Sequence, residues 1–355
     1  MSQNLASIGN GLFQTHVGWD DIEQCIQKER NIKVSFGPNR SVVQTGVGNY
    51  HKREVSVYKA FSRFDSSLTG LPKYYFSQEF NGDNKLKGFI GMEFIEDAEL
   101  RHFFHNVTPD ELSDVLRALA FLQAKSLQLT NEEKKNFISN PLPDAYSVTM
   151  PSSVVKKALH DMYTELEELR PTGEILEKMV DEVFDTNLTS TMNKELDSII
   201  GMKDVFAHGD LWSTNILWNK TGEGVKFSRI IDHQYAHFGC AAEDLCRVFI
   251  STLSGKDRRE NWERLLEEFH KYIVHYCKGE LPFTLEQLKE AYRRMFPLAG
   301  LLLSDIFESI MKIAMQKLSS EERTAAERVV HEKVLALFED IVFFAERNRS
   351  VRKNL

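Results

Sequence analysis

The segment His208-Gly-Asp-Leu-Trp-Ser-Thr-Asn215, followed by Ile230-Ile-Asp232-His-Gln234, constrains this chain more than any other feature. Its polar residues are set among apolar runs. Val205-Phe-Ala207 enters the motif, Asn215-Ile-Leu-Trp218 leaves it, and Lys226-Phe-Ser-Arg-Ile-Ile231 leads into Asp232. Between the last two lies Asn219-Lys-Thr-Gly-Glu-Gly224, a glycine-rich turn signal. The pattern predicts a hairpin with Asn215 and Asp232 near its two ends, so that strand pairing brings them together.

These residue types at this spacing suit phosphoryl transfer to a hydroxyl. A carboxylate orients the hydroxyl and accepts its proton, while an Asn and a second Asp hold magnesium on the phosphates. Catalysis of this kind is mostly positioning and charge neutralisation. Asp210 is then the base, and Asn215 and Asp232 are the metal ligands. Magnesium needs only one or two protein oxygens when phosphates supply the others. Two other readings compete. His208, Asp210 and Asn215 could be loop polars satisfying turn backbone groups. Alternatively, His208, Asp210, Asp232, His233 and His237 could form a transition-metal site, although the usual helical zinc spacings are absent.

The motif resembles that of the choline-kinase-like and aminoglycoside-phosphotransferase-like kinases, and more closely the CHK-kinase-like branch that includes the ecdysteroid-kinase-like proteins. That branch carries H-G-D-x-W-x-x-N, then I-D-[WFYH]-Q, then G-x-x-x-x-D-L. Here these are His208-Gly209-Asp210-Leu211-Trp212 with Asn215, Ile231-Asp232-His233-Gln234, and Gly239 to Asp244-Leu245. The resemblance runs from about Phe36 to about Phe344. It implies an α+β, two-lobed protein-kinase-like fold with a small, shortened sheet-bearing lobe and a mainly helical carboxyl-terminal lobe. Residues 1–95 would be an incomplete nucleotide lobe, and residues 96–355 a helical lobe carrying the catalytic loop and metal-binding hairpin. The implied cofactors are ATP and Mg2+. His208 would brace the catalytic loop, and Asp244 would cap or brace the helix that follows. Only residues 233–243 separate Asp232 from Asp244, too few for the activation segment with which a protein kinase holds a peptide. The acceptor is therefore expected to be a small molecule bearing a hydroxyl.

The amino-terminal part departs from the family. Kinases of this type carry a glycine-rich loop, a strand with a phosphate-gripping lysine, and a helical Glu that holds the lysine. By resemblance that Glu is Glu54, in His51-Lys-Arg-Glu54-Val-Ser-Val-Tyr58, and Thr45-Gly-Val-Gly-Asn49 is a glycine-rich remnant. Between Gly48 and Glu54 stand only Asn49, Tyr50, His51, Lys52 and Arg53. A strand alone takes about five or six residues, so two strands and a turn do not fit. Gly48/Asn49 reads as a junction at which strands are missing. No lysine takes the family position: Lys33 lies in the strand-like Asn31-Ile-Lys-Val-Ser-Phe36, out of order, and Lys52 is too near Glu54. Leu86 to Ile95 reads as a strand running into the hinge, where the family sets Met92, Glu93 and Phe94 against adenine. The rival from another class is thus a catalytically impaired pseudokinase, or a truncated isoform, acting as a binding protein. A metal-dependent hydrolase using the same carboxylates is a third.

Composition narrows the partners. With 44 Lys and Arg against 52 Asp and Glu, the net charge is −8, which argues against nucleic-acid binding. Hydrophobic residues make up 42% of the chain, enough for a large core. Four cysteines without a Cys-x-x-Cys pair, no apolar run long enough to span a bilayer and no basic-apolar start predict a soluble, cytoplasmic protein with no membrane partner. Nothing in the pattern fixes an oligomeric state. The later two-thirds is mostly helical in pattern. Thr108-Pro-Asp-Glu111 opens a helix to about Leu129, Thr284-Leu-Glu-Gln287 opens one to Phe296, and a long helix spans Ser320 to Arg347. Asn131 to Pro151, with three prolines, is expected to be a connecting loop. Trp212, Trp218, Tyr235 and Phe238 lie near the motif, either as pocket rings or as packing.

Overall fold

The computed structural model describes residues 10–31, 50–81, 83–187, 200–222 and 224–352. The strand-like stretch holding Lys33 and the glycine-rich remnant at 45–49 lie outside the described residues. The architecture is α+β and two-lobed.

The smaller part begins with α1 (Trp19–Arg30), whose first turn is closed by Gly18 N–H donating to Asp21 Oδ2 at 2.8 Å. Next come α2 (His51–Phe61) and the single turn α3 (Ser66–Thr69), which is N-capped by Asp65. An antiparallel pair follows, β1 (Tyr74–Gln78) and β2 (Phe89–Met92), in register Tyr74↔Met92 with a bulge before Phe76. Two strands alone are marginal in water. The pair is stabilised by α1 and α2 packing against β1, and by a cluster in which Val57, Tyr58, Phe61 and Leu71 meet Leu122, Phe137 and Phe206 of the larger part.

The larger part is helical. It comprises β3 (Ala98–Leu100), α4 (Ser113–Ser126), α5 (Asn131–Lys134), α6 (Leu142–Thr149), α7 (Ser152–Glu165), α8 (Arg170–Asn187), β4 (Val205–Ala207), β5 (Ile216–Lys220), β6 (Val225–Ile230), β7 (His237–Gly239), α9 (Ala242–Thr252), α10 (Gly255–Tyr276), α11 (Leu285–Met315) and α12 (Ser320–Arg352). The expected hairpin is β5–β6, paired Ile216↔Ile230, with β3 on its other edge. β4 pairs with β7, a strand too short to show in the sequence. The helical stripes are core: Leu112, Val115, Leu116, Leu119 and Leu122 are buried, as are Val330, Val334, Leu337, Phe338 and Ile341. Each such side chain contributes about 1.5–3 kcal/mol on burial, so the helices, rather than the short sheets, hold this lobe together.

Three expectations are corrected. Residues 131–151 are not a loop: a Thr130–Glu133 capping box starts α5, and a proline in its first turn favours α6. The Thr108–Glu111 box forms, but it closes a turn ahead of α4, because Glu111 also accepts the Val225 N–H of the hairpin. The helix opened by Thr284 runs on through Pro297 to Met315.

Candidate active site

The candidate catalytic loop links β4 to the hairpin, and α9 holds it from behind. Asp244 accepts the backbone N–H groups of His208 (2.7 Å) and Gly209 (3.0 Å), and Ser251 Oγ accepts that of Ser213 (3.0 Å). Asp244 therefore braces the catalytic loop from inside α9, whose N-cap is Ala241. Burial, then its neighbour Glu243, pushes the Asp244 carboxyl up to about 7. Gly209 has φ +80°, and a Cβ there would stand 2.4 Å from the Tyr235 carbonyl oxygen, so the turn requires glycine.

His208 is buried. Its Nε2 donates to the Ile231 carbonyl (2.9 Å), which leaves Nδ1 to accept the Asp210 N–H (3.3 Å). Both ring nitrogens are thus engaged in a neutral ring whose pKa burial pushes down to about 4. This is a tie between loop and hairpin rather than a metal ligand. Asn215 Nδ2 donates to the Asp210 carbonyl at 2.7 Å and lies 3.4 Å from Asp210 Oδ2. Ile231 N–H donates to the Asn215 carbonyl at 3.0 Å, which joins the hairpin ends and sets Asp232 beside Asn215. Asp232 adopts φ +67°, a conformation sparsely used by residues other than glycine and Asn, as the chain turns out of β6.

Two further carboxylates, Glu54 and Asp210, lie within the field of the Asp232 charge. Burial and then the Asp232 charge push Glu54 up to about 7. Asp210 rises to about 6, with burial the largest cause, Arg247 opposing it and Asp232 adding to it. Asp232 itself is raised by burial. Arg247 balances Asp210: its Nη1 lies 3.3 Å from Asp210 Oδ1, and the same guanidinium holds the Tyr146 hydroxyl. Sequence reasoning missed Arg247 and Tyr146. The available signal was that Arg247 lies three residues after Asp244 on one helix, and so on the same face.

Behind the loop, the buried rings of His208, His233 and Tyr58 stand in file, with centroids 4.5 and 5.4 Å apart. The four aromatic residues near the motif form no cage. Trp212 stacks on Phe103, Trp218 meets Phe227, Tyr235 leans on Tyr50, and Phe238 stacks on Phe137. At the expected hinge position, Glu93 gives its N–H to the Lys73 carbonyl (2.8 Å), while its carboxylate takes Lys73 N–H and pairs with Arg229. Met92 packs in the small-lobe cluster, and Phe94 is 83% exposed. A cavity of about 560 Å³ lies at the far end of α2, against Phe61, Phe64, Leu71 and Tyr74, and is not lined by Asp210, Asn215 or Asp232.

The donor set suits a hard divalent cation. The Asn215 amide N–H donates to the Asp210 carbonyl, so Asn215 Oδ1 is the end left for a cation. Among the described residues no three His, Cys, Asp or Glu side chains converge tightly enough to hold an ion by themselves. Magnesium shared with phosphates does not need that many, whereas a zinc site does. Among the described residues no helix is long and apolar enough to cross a membrane.

A family model, DUF1679, described as "Uncharacterized oxidoreductase dhs-27", matches the chain in two stretches, residues 5–50 and 44–349. The stretches meet where the sequence places the junction. An uncharacterized kinase-like protein of Caenorhabditis elegans, D1044.1, is 29% identical over 69% of this chain and 62% of its own length. The C. elegans "Uncharacterized oxidoreductase dhs-27" is 25% identical over 78% of this chain and 33% of its own. The chain thus spans less than two thirds of either curated relative. Among solved structures, a choline kinase from Cryptosporidium parvum Iowa II superposes with a TM-score of 0.47 at 13% identity, over 85% of this chain and 79% of that one.

Proposed function

The chain belongs to the DUF1679 family and has a kinase-like fold, and on that premise we infer that it is an ATP- and magnesium-dependent phosphotransferase acting on a hydroxyl of a small molecule. The observation that carries this reading is the Asn215–Asp210 bond together with the Ile231–Asn215 bond, which bring Asp210, Asn215 and the Asp232 backbone to the hairpin's open end. When bound, Mg-ATP supplies the electrophilic phosphorus and the charge that neutralises the phosphoryl oxygens. A carboxylate oxygen of Asp210 orients the acceptor hydroxyl and takes its proton. Asn215 and Asp232 hold the metal. His208 fixes the loop to the hairpin, and Arg247 fixes the Asp210 carboxylate. On this reading residues 1–95 are an incomplete nucleotide lobe, with Glu54 toward the phosphates and Met92, Glu93 and Phe94 at the adenine edge, and residues 96–355 are the helical lobe with the catalytic loop and metal-binding hairpin.

The relatives' names differ, one kinase-like and one oxidoreductase. The chain covers only a third of the latter and contains no G-x-G-x-x-G dinucleotide fingerprint. Its site carboxylates suit phosphoryl transfer better than hydride transfer.

A second reading is supported by Glu54, which pairs with no lysine among the described residues, and by the family match breaking at residues 44–50. On this reading, strands are missing at the junction and the chain is an impaired kinase that binds rather than transfers.

Thermal unfolding of the full chain with ATP, and with ATP plus Mg2+, separates the two. Ligand at 100 times its Kd stabilises a protein by about 2.7 kcal/mol, so a magnesium-dependent rise in midpoint is expected. No shift at millimolar nucleotide would overturn the phosphotransferase reading in favour of the binding protein. With an active acceptor in hand, Asp210→Asn should lose turnover and keep the nucleotide shift.

A further inference from the structure

We propose that Glu54 is a further ligand of the divalent cation held by Asn215 and Asp232, acting through a metal-bound water. The inference rests on the phosphotransferase reading and concerns the cation end of that site. Glu54 sits in the first turn of α2 and faces the loop that carries Asp232. The backbone N–H of His233 addresses its carboxylate, and the Asp232 charge repels it. In the related kinases such a helical Glu is held by a lysine. Here, among the described residues, no Lys, Arg or His pairs with it, and Lys52 on the same helix is exposed. A cation between the Glu54 and Asp232 carboxylates offsets their mutual repulsion.

A second group points into the same space. Tyr58 lies one turn after Glu54 on the same face of α2 and is 1% exposed. Among the described residues its hydroxyl has no hydrogen-bond partner, and it stands within the fields of both Glu54 and Asp232. Buried hydroxyls are nearly always hydrogen-bonded. A hydrated cation at Asp232 gives this one a water to bind and gives Glu54 the countercharge it lacks. Direct three-carboxylate ligation is not what the geometry offers, because no such convergence occurs among the described residues. Magnesium retains several of its waters, and one of them fits this span. Loss of the phosphate-gripping lysine would then recruit Glu54 to the metal.

The test uses the full chain with free Mn2+ as a paramagnetic probe and Mg2+-dependent thermal unfolding as a second readout. Glu54→Gln should weaken Mn2+ binding at least tenfold, while the unfolding midpoint without metal stays level or rises because a like charge beside Asp232 is gone. Glu54→Asp, which keeps the carboxylate, should recover most of the lost affinity. Mn2+ affinity within twofold of wild type in Glu54→Gln would overturn the proposal and leave the phosphotransferase reading standing. So would a Glu54→Asp variant as weak as Glu54→Gln. If the wild-type chain binds neither Mn2+ nor Mg-ATP, both fall together.

Discussion

The side-chain amide of Asn215 donates to the backbone carbonyl of Asp210 at 2.7 Å, which fixes the orientation of the one proposed metal ligand whose two ends differ chemically. Asn215→Asp replaces that donor with an acceptor. A carboxylate oxygen would then face the Asp210 carbonyl and the Asp210 side chain in a buried site. A buried acceptor left without its donor costs about 1–3 kcal/mol, and the like charge of Asp210 adds to this. The urea midpoint should fall without metal and recover in part with Mg2+, which would neutralise the added carboxylate. A midpoint equal to wild type in metal-free buffer would show that Asn215 does not hold the loop in this way.

Gly209 is the steric keystone of the same loop. Its φ of +80° alone strains any L-residue by about 1–3 kcal/mol, and an alanine Cβ would also meet backbone oxygen at 2.4 Å. Gly209→Ala should therefore destabilise more than a surface Gly→Ala change, for example at Gly222, where nothing stands within 4 Å. Comparing the guanidinium midpoints of these two variants checks it. Equal midpoints would place the loop elsewhere.

The arrangement of the candidate site was legible in the sequence because it is local. The order His208, Asp210, Asn215, hairpin and Asp232 fixes its own geometry once β5 and β6 pair. The helical core was legible for the same reason: periodicity at Leu112–Leu122 and Val330–Ile341 reports burial directly. What was not legible depends on distant packing. Arg247 meets Asp210, and Tyr146 meets Arg247, only because α6 and α9 lie against the catalytic loop. β7 is three residues long and exists by pairing with β4. The helices in 131–151 were hidden by prolines that occupy first-turn positions, where proline is tolerated.

Arg247 is 2% exposed and its partner Asp210 side chain 21%. Removing one member of a buried pair leaves the other uncompensated, at about 3–5 kcal/mol; the partial exposure of Asp210 sets the expectation at the lower end. Arg247→Met should therefore lower stability strongly, and it also strips the Tyr146 hydroxyl of its partner. Adding Asp210→Asn to Arg247→Met should return part of the loss, since the stranded charge is then gone. Strict additivity in this double-mutant cycle would mean that the two side chains do not interact in the folded protein.

Lys333 gives the clearest pH signature, from a group remote from any metal. It lies fully buried on α12, and its Nζ donates to the carbonyls of Ser251 (3.1 Å) and Thr252 (3.2 Å) at the end of α9. Burial, with Arg258 nearby, pushes its pKa down to about 7, while Glu332 pulls weakly the other way. In the unfolded chain the ammonium persists to an ordinary lysine value near 10.5. Between those limits the unfolded state binds more protons than the folded state, so stability from this group rises with pH. The penalty for the buried charge is full below about pH 7 and is relieved on approach to the unfolded value. Lys333→Met has no such group. The stability difference, wild type minus Lys333→Met, should increase from pH 7 to pH 9 by up to about 1 kcal/mol per pH unit. Guanidinium unfolding of both proteins at matched pH values measures it, and the other titrating groups cancel in the subtraction. A difference that stays flat over that range would mean Lys333 keeps its proton in the fold, held by the two carbonyls at the end of α9.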